Sequence, residues 1–193
     1  MKKYSHYIQK AIKNHTSLKL AVQRTITNYN SKAMPQLAHE ITSLSLWDED
    51  YLEVFDLLLQ FHPNDISLLE HKALAYDLME PLISIQALSQ AIAILHQKHG
   101  HQPDISAFYH WVGTNYQRIN KPNKAIAAFT LAISHFKKGP DEEPVLYNSY
   151  HRRAEEYLKI NRYDLAKKDA LQLINLKGKR APVVKLLNKI EVE

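Results

Sequence analysis

The chain has 193 residues, 45% of them hydrophobic, with 25 Lys+Arg against 20 Asp+Glu, four glycines and no cysteine. That length suits one domain or one elongated array, and the apolar fraction argues against wholesale disorder. The missing cysteines exclude a disulfide scaffold, thiolate zinc sites and a cysteine nucleophile, and neither GxxxxGK(S/T) nor GxGxxG occurs.

Charge is segregated. Residues 1–39 hold seven Lys/Arg and no acid, residues 40–80 hold ten acids and one base, and residues 81–193 hold 17 bases and ten acids. Such a division can steer a charged partner or let the two ends of one molecule attract each other. The basic amino terminus MKKYSHYIQKAIKNH lacks the apolar run of about 7–15 residues that a secretory signal needs. No apolar run approaches the roughly 20 residues that span a bilayer. A soluble, cytoplasmic protein without membrane contact is the expectation.

Helical spacing dominates in chain order. Tyr4, Ile8, Ala11 and Ile12 form one stripe, and Leu18, Val22, Ile26 and Tyr29 form a second after His15-Thr16-Ser17. Pro35 suits the first turn of a helix carrying Leu37, Ala38, Ile41 and Leu44. Asp48-Glu49-Asp50 places acids at the start of a helix with Tyr51, Val54, Phe55 and Leu58, which ends at His62-Pro63-Asn64-Asp65. No segment alternates long enough for a strand.

Beyond residue 65 the spacing repeats itself. Gly113 and Tyr116 are followed by Ala125, Phe129 and Ala132; Ala154 and Tyr157 are followed by Ala166, Ala170 and Leu173 at the same intervals. Ala73 and Tyr76 start a third copy, followed by Ser84, Leu88 and Ala91 after a turn one residue shorter. The segments YHWVGTNYQRINKPNKAIAAFTLAI and YHRRAEEYLKINRYDLAKKDALQLI thus resemble the tetratricopeptide repeat family. The resemblance implies an all-α, superhelical array of antiparallel helix hairpins. The copies fall at 66–98, 106–139 and 147–180, separated by the inserts KHGHQPD and KGPDEEP. A fourth, at 32–65, departs from the pattern at His39 and Thr42. A hairpin alone cannot bury its apolar face, so the ends need covers. Residues 1–31 are expected as a basic helical cap, and 181–193 as a capping helix with Val183, Leu186, Leu187 and Ile190 inward and Lys185 and Lys189 toward water.

The resemblance also implies a concave surface lined by the first helix of each hairpin. Its residues would be Ser67, Glu70, Leu74 and Asp77; Ala107, His110, Thr114 and Gln117; then Asn148, His151, Glu155 and Leu158. The Lys/Asn/Arg clamp that some family members use for a terminal carboxylate is missing. Glu70, Asp77 and Glu155 would favour peptides carrying Lys or Arg. Histidine titrates near pH 6.5, so His110 and His151 would make binding sensitive to pH between about 5.5 and 7.5.

Other chemistry finds little support. His96, His99 and His101 are the tightest histidine cluster, but no local acid or thiolate completes a metal set, so solvated linker residues are expected. Glu155-Glu156 and Glu142-Glu143 read as charged surface rather than paired catalytic carboxylates. No enzyme activity, metal or cofactor is expected. The reading is a protein or peptide-binding module working through its groove. Its rivals are an inhibitor or immunity-type protein covering an effector with its charged surface, and a nucleic-acid-associated adaptor using the basic residues 1–31, the latter opposed by the acidic central block.

Overall fold

The computed structural model describes residues 49–97, 105–137, 143–177 and 181–191, and every structured segment among them is α-helical. The expected cap over residues 1–31 and the 32–65 copy up to residue 48 lie outside the described residues. The chain divides into two compact units, Met1–Ile94 and Leu95–Glu193. No helix among the described residues is long and apolar enough to cross a membrane.

Unit 1 contains α1 (Glu49–Phe61), α2 (Ile66–Tyr76) and most of α3 (Pro81–Gln97). Pro63 and Asn64 form the turn after α1, and Asp65 caps α2 by accepting the Leu68 amide at 3.1 Å. Val54, Phe55 and Leu58 of α1 are fully buried, as is Leu68 of α2, with Leu69 and Ala73 nearly so. Tyr76 donates its hydroxyl to Asp56 at 3.3 Å, while Lys72 meets the other Asp56 oxygen at 2.5 Å. Burial, then the neighbouring Asp56 carboxylate, pushes the Tyr76 phenol up to about 12. Pro81 opens α3, where its missing amide costs no helical hydrogen bond.

Unit 2 contains the end of α3 and then α4 (Ile105–Arg118), α5 (Pro122–His135), α6 (Glu143–Lys159), α7 (Tyr163–Lys177) and α8 (Ala181–Glu191). Each of α4 to α8 packs on the next, and α6 also touches α4 and α8. The second expected insert loses Glu143 and Pro144 to α6, where the proline sits harmlessly in the first turn.

The α4–α5 and α6–α7 turns are built alike. Asn120 and Asn161 take left-handed backbone, φ 52° and 58°. The next amide reaches back to close the helix, Lys121 N to Tyr116 O and Arg162 N to Tyr157 O, both at 2.9 Å. This six-to-one bond with a left-handed residue inside it satisfies carbonyls that a helix end otherwise leaves bare. Asparagine tolerates that backbone better than most residues with a side chain.

Small residues set the spacing within the hairpins. A Cβ on Gly113 would lie 2.6 Å from two ring carbons of Phe129, so only glycine lets that fully buried ring lie against α4. In the following hairpin Ala154, Ala166, Ala170, Leu173, Val183 and Leu186 form one buried cluster, with Tyr150, Tyr157, Leu187 and Ile190 packed around it.

Candidate functional site

In unit 2 the groove positions on α4 (Ala107, His110, Thr114 and Gln117) and on α6 (Asn148, His151, Glu155 and Leu158) form stripes at helical spacing, and the structure divides their roles. Glu155 and Lys189 line both of two clefts. One, of about 270 Å³, is completed by His151, Pro182, Lys185 and Leu186 among others. The second, of about 480 Å³, is completed by Gln117, Leu158 and Lys159. The lysines of α8, expected only to face water, therefore belong to the surface that Glu155 occupies. Lys185 and Lys189 offset the negative charge that Glu155 brings to this end of the groove, while Lys159 is paired with Glu156.

His110 has a different role from the one its spacing suggests. Its ring lies against Phe129, with centroids 5.6 Å apart, and its Nδ1 shares a 2.9 Å hydrogen bond with the buried Ser149 hydroxyl. Burial, helped by the Arg152 guanidinium, lowers its pKa to about 4. The ring is neutral through the range where binding was expected to respond to pH, so His110 supplies no switch there. Thr114 turns its hydroxyl inward to its own helix, donating to the His110 carbonyl at 3.1 Å. His151 and Glu155 lie one turn apart on α6, with Nδ1 and Oε2 3.9 Å from each other. Asn148 is exposed.

Beneath the larger cleft lies a polar chain that the spacing did not reveal. Glu156 is fully buried, a correction to its reading as solvated surface. It falls two helical turns after buried Ser149, on the inward face of α6. Its Oε1 accepts from Lys159 Nζ at 2.6 Å and from Gln117 Nε2 at 2.8 Å, while the Gln117 carbonyl accepts from Arg152 at 2.8 Å. Such bonding is what allows a carboxylate to remain in the interior. One donor hydrogen and one acceptor lone pair of the Gln117 amide are thereby committed, which orients it in the cleft wall.

Unit 1 carries its own stripe. Ser67 accepts from or bonds to His71 through both its carbonyl (2.6 Å) and its hydroxyl (3.5 Å), so its polar atoms are engaged within α2. Glu70 and Asp77 are half-exposed, and Leu74 between them is 43% exposed.

The histidine cluster resolves differently. His96 Nε2 is 3.1 Å from the Tyr109 hydroxyl, and the His135 ring stacks on Tyr109 at 5.3 Å and meets His96 edge-on at 5.7 Å. His99 and His101 lie outside the described residues. Among the described residues, no group of three or more His, Asp or Glu is arranged to hold a metal ion.

Residues 147–180 match the family model described as the tetratricopeptide repeat. No curated protein matches the chain. Among solved structures, a MamA protein is similar over 92% of this chain and 92% of its own, with TM-score 0.65 and 17% identity. The MamA 41-end structure from Desulfovibrio magneticus RS-1 covers 90% of this chain and 93% of its own, with TM-score 0.63 and 14% identity. The Cut9–Hcn1 hetero-tetramer of the APC/C is similar over 97% of this chain but 35% of the matched one, with TM-score 0.64 and 12% identity. At these identities the likeness is one of fold.

Proposed function

We propose that this chain, which matches the tetratricopeptide repeat over residues 147–180 and shares the fold of such arrays, acts by holding a protein or peptide partner and performs no chemistry of its own. Folds of this kind are generally protein–protein interaction scaffolds. The observation that carries the reading is the pair of clefts in unit 2 sharing Glu155 and Lys189. A carboxylate acceptor and an ammonium donor line both clefts, with Leu158 in one lining and Leu186 in the other, a combination suited to an extended peptide with alternating polar and apolar contacts. Gln117, His151, Glu155 and Leu158 are the contact residues from the original stripe, and Lys159, Lys185 and Lys189 join them. Thr114 and Asn148 remain part of the proposed stripe on α4 and α6, and His110 ties those two helices together through its hydrogen bond to Ser149. Glu70 and Asp77 present the corresponding stripe on unit 1. The cytoplasmic setting expected from the composition belongs to the same proposal.

The test is affinity capture from native cells with the wild-type chain and with Glu155→Ala/Lys189→Ala. Both side chains are outside the buried core, so the fold should survive. Loss of a specific co-purifying protein supports the reading, and undiminished capture by the double variant defeats it.

A further inference from the structure

We propose that the α2–α3 elbow of unit 1 is a docking surface for a basic amphipathic helix of a partner protein. Leu74, Leu78, Met79 and Leu82 are 43%, 69%, 57% and 64% exposed. They fall within nine residues around one tight turn. Asp77 continues the helical backbone past Tyr76, and the Glu80 amide reaches back to Tyr76 O at 2.9 Å. Glu80 in turn accepts the amides of Ile83 and Ser84 through its carbonyl at 2.9 and 3.2 Å, starting α3 at once. Leu74 and Leu78 are thus one turn apart on the same helical path, with Leu82 in the first turn of the next helix. Four large apolar side chains concentrated at one exposed corner are characteristic of an interaction surface, whereas scattered single ones are ordinary.

Charge decides what kind of partner fits. Asp77 and Glu80 lie among these side chains, Glu70 precedes Leu74 by four residues, and residues 49–80 contain eight acids against the single base Lys72. That lysine is held at 2.5 Å by Asp56, which spends its charge within the unit. A phosphate backbone or an anionic lipid surface meets repulsion here. A helix with an apolar stripe flanked by Lys or Arg meets both requirements, since its anchors cover the leucines and its cations face the carboxylates. This inference rests on the reading of the chain as a partner-binding module, but on a surface separate from the clefts of unit 2.

The experiment uses the full chain and three synthetic peptides of about 18 residues, or five helical turns. One is an amphipathic Leu/Lys helix, the second has the same composition scrambled, and the third replaces Lys by Glu. Fluorescence anisotropy should show binding of the first alone. Leu78→Ser/Leu82→Ser should weaken it by about tenfold or more. Asp77→Asn/Glu80→Gln should weaken it by about three- to tenfold at low salt, and less at high salt. The substituted leucines are exposed, so unchanged thermal melting is expected, and the charge variant gives an independent route. Equal binding of the scrambled peptide, full binding by the leucine variant, or tighter binding after charge removal overturns the proposal. So does a wild-type dimer that the leucine substitutions dissociate in sedimentation, because the elbow would then be a contact between copies of this chain. Glu155→Ala/Lys189→Ala should leave the Leu/Lys affinity unchanged. Failure of the peptide assay alone removes the elbow, and failure of native capture to respond to that cleft variant alone removes the cleft reading.

Discussion

Arg153 and Asp169 meet fork to fork across α6 and α7, with Nε to Oδ2 at 2.8 Å and Nη2 to Oδ1 at 2.7 Å. The guanidinium's remaining nitrogen, Nη1, donates to Thr130 of α5 at 2.9 Å, and its carbon lies 5.4 and 5.8 Å from the ring centres of Tyr150 and Tyr157. One side chain therefore ties three consecutive helices together. Both partners are largely withdrawn from water, at 14% and 3% side-chain exposure. Removing one partner should be far worse than replacing both, because it strands a buried charge. Asp169→Ala should cost about 3–5 kcal/mol in urea denaturation. The double replacement Arg153→Met/Asp169→Leu should recover much of that loss, and a double variant no better than the single would contradict this account.

Gly113→Ala should lower the melting temperature, since the new Cβ would stand 2.6 Å from Phe129 ring carbons that have His110 on another side. Overpacking of this type costs about 1–3 kcal/mol. Phe129→Leu in the same chain should relieve part of the penalty, giving a measurable coupling in the double-mutant cycle. Strict additivity would mean that the two residues do not share the contact.

His110 should make the protein sensitive to mild acid. Its folded pKa is lowered to about 4 from an ordinary 6.5. Between those values the unfolded chain binds a proton that the folded chain refuses, so stability present above pH 6.5 is lost as pH falls toward 4. The loss attributable to this group is on the order of 2–3 kcal/mol. Urea midpoints at pH 7 and pH 4.5 should converge in His110→Asn relative to wild type. An identical pH slope in the two proteins would assign the acid sensitivity to other groups.

Much of unit 2 was legible from intervals alone. Gly113 with Phe129 and Ala154 with Ala170 occupy buried positions that the repeating spacing marks as facing core. Helical period identifies such a face because small and aromatic residues recur there. It cannot say what a neighbouring helix brings to a polar position. His110 shares the groove spacing, yet Ser149 and Phe129 enclose it. Glu156 looked like surface beside Glu155 because only Gln117, on another helix, and Lys159 make its burial tolerable. The contribution of Lys185 and Lys189 to the clefts likewise depends on the path of α8, which no interval inside a repeat encodes.

Truncation after Arg180 should expose the cluster around Ala170 and Leu173, against which Val183 and Leu186 are buried. The expected outcome is aggregation, or a melting temperature lowered by several degrees, because terminal faces of such arrays are apolar. A monomeric truncated chain with unchanged melting would show that α8 is dispensable to the fold.

The matching turns at Asn120 and Asn161 make the stretch between them an excisable cassette. Joining Asn120 directly to Arg162 deletes 41 residues, Lys121 to Asn161, and presents Tyr116 O with the amide of Arg162 in place of Lys121. In that shortened protein Gly113 would face Ala170 instead of Phe129, turning a tight fit into a hollow. Gly113→Ala should then reverse its sign, raising the melting temperature of the shortened chain while lowering that of the intact one. A repeat in this protein is consequently portable at its turns but particular in its interior: moving one to a new neighbour keeps the turn, hollows the space at Gly113 and leaves the Asp169 carboxylate without Arg153, which departs with the excised stretch.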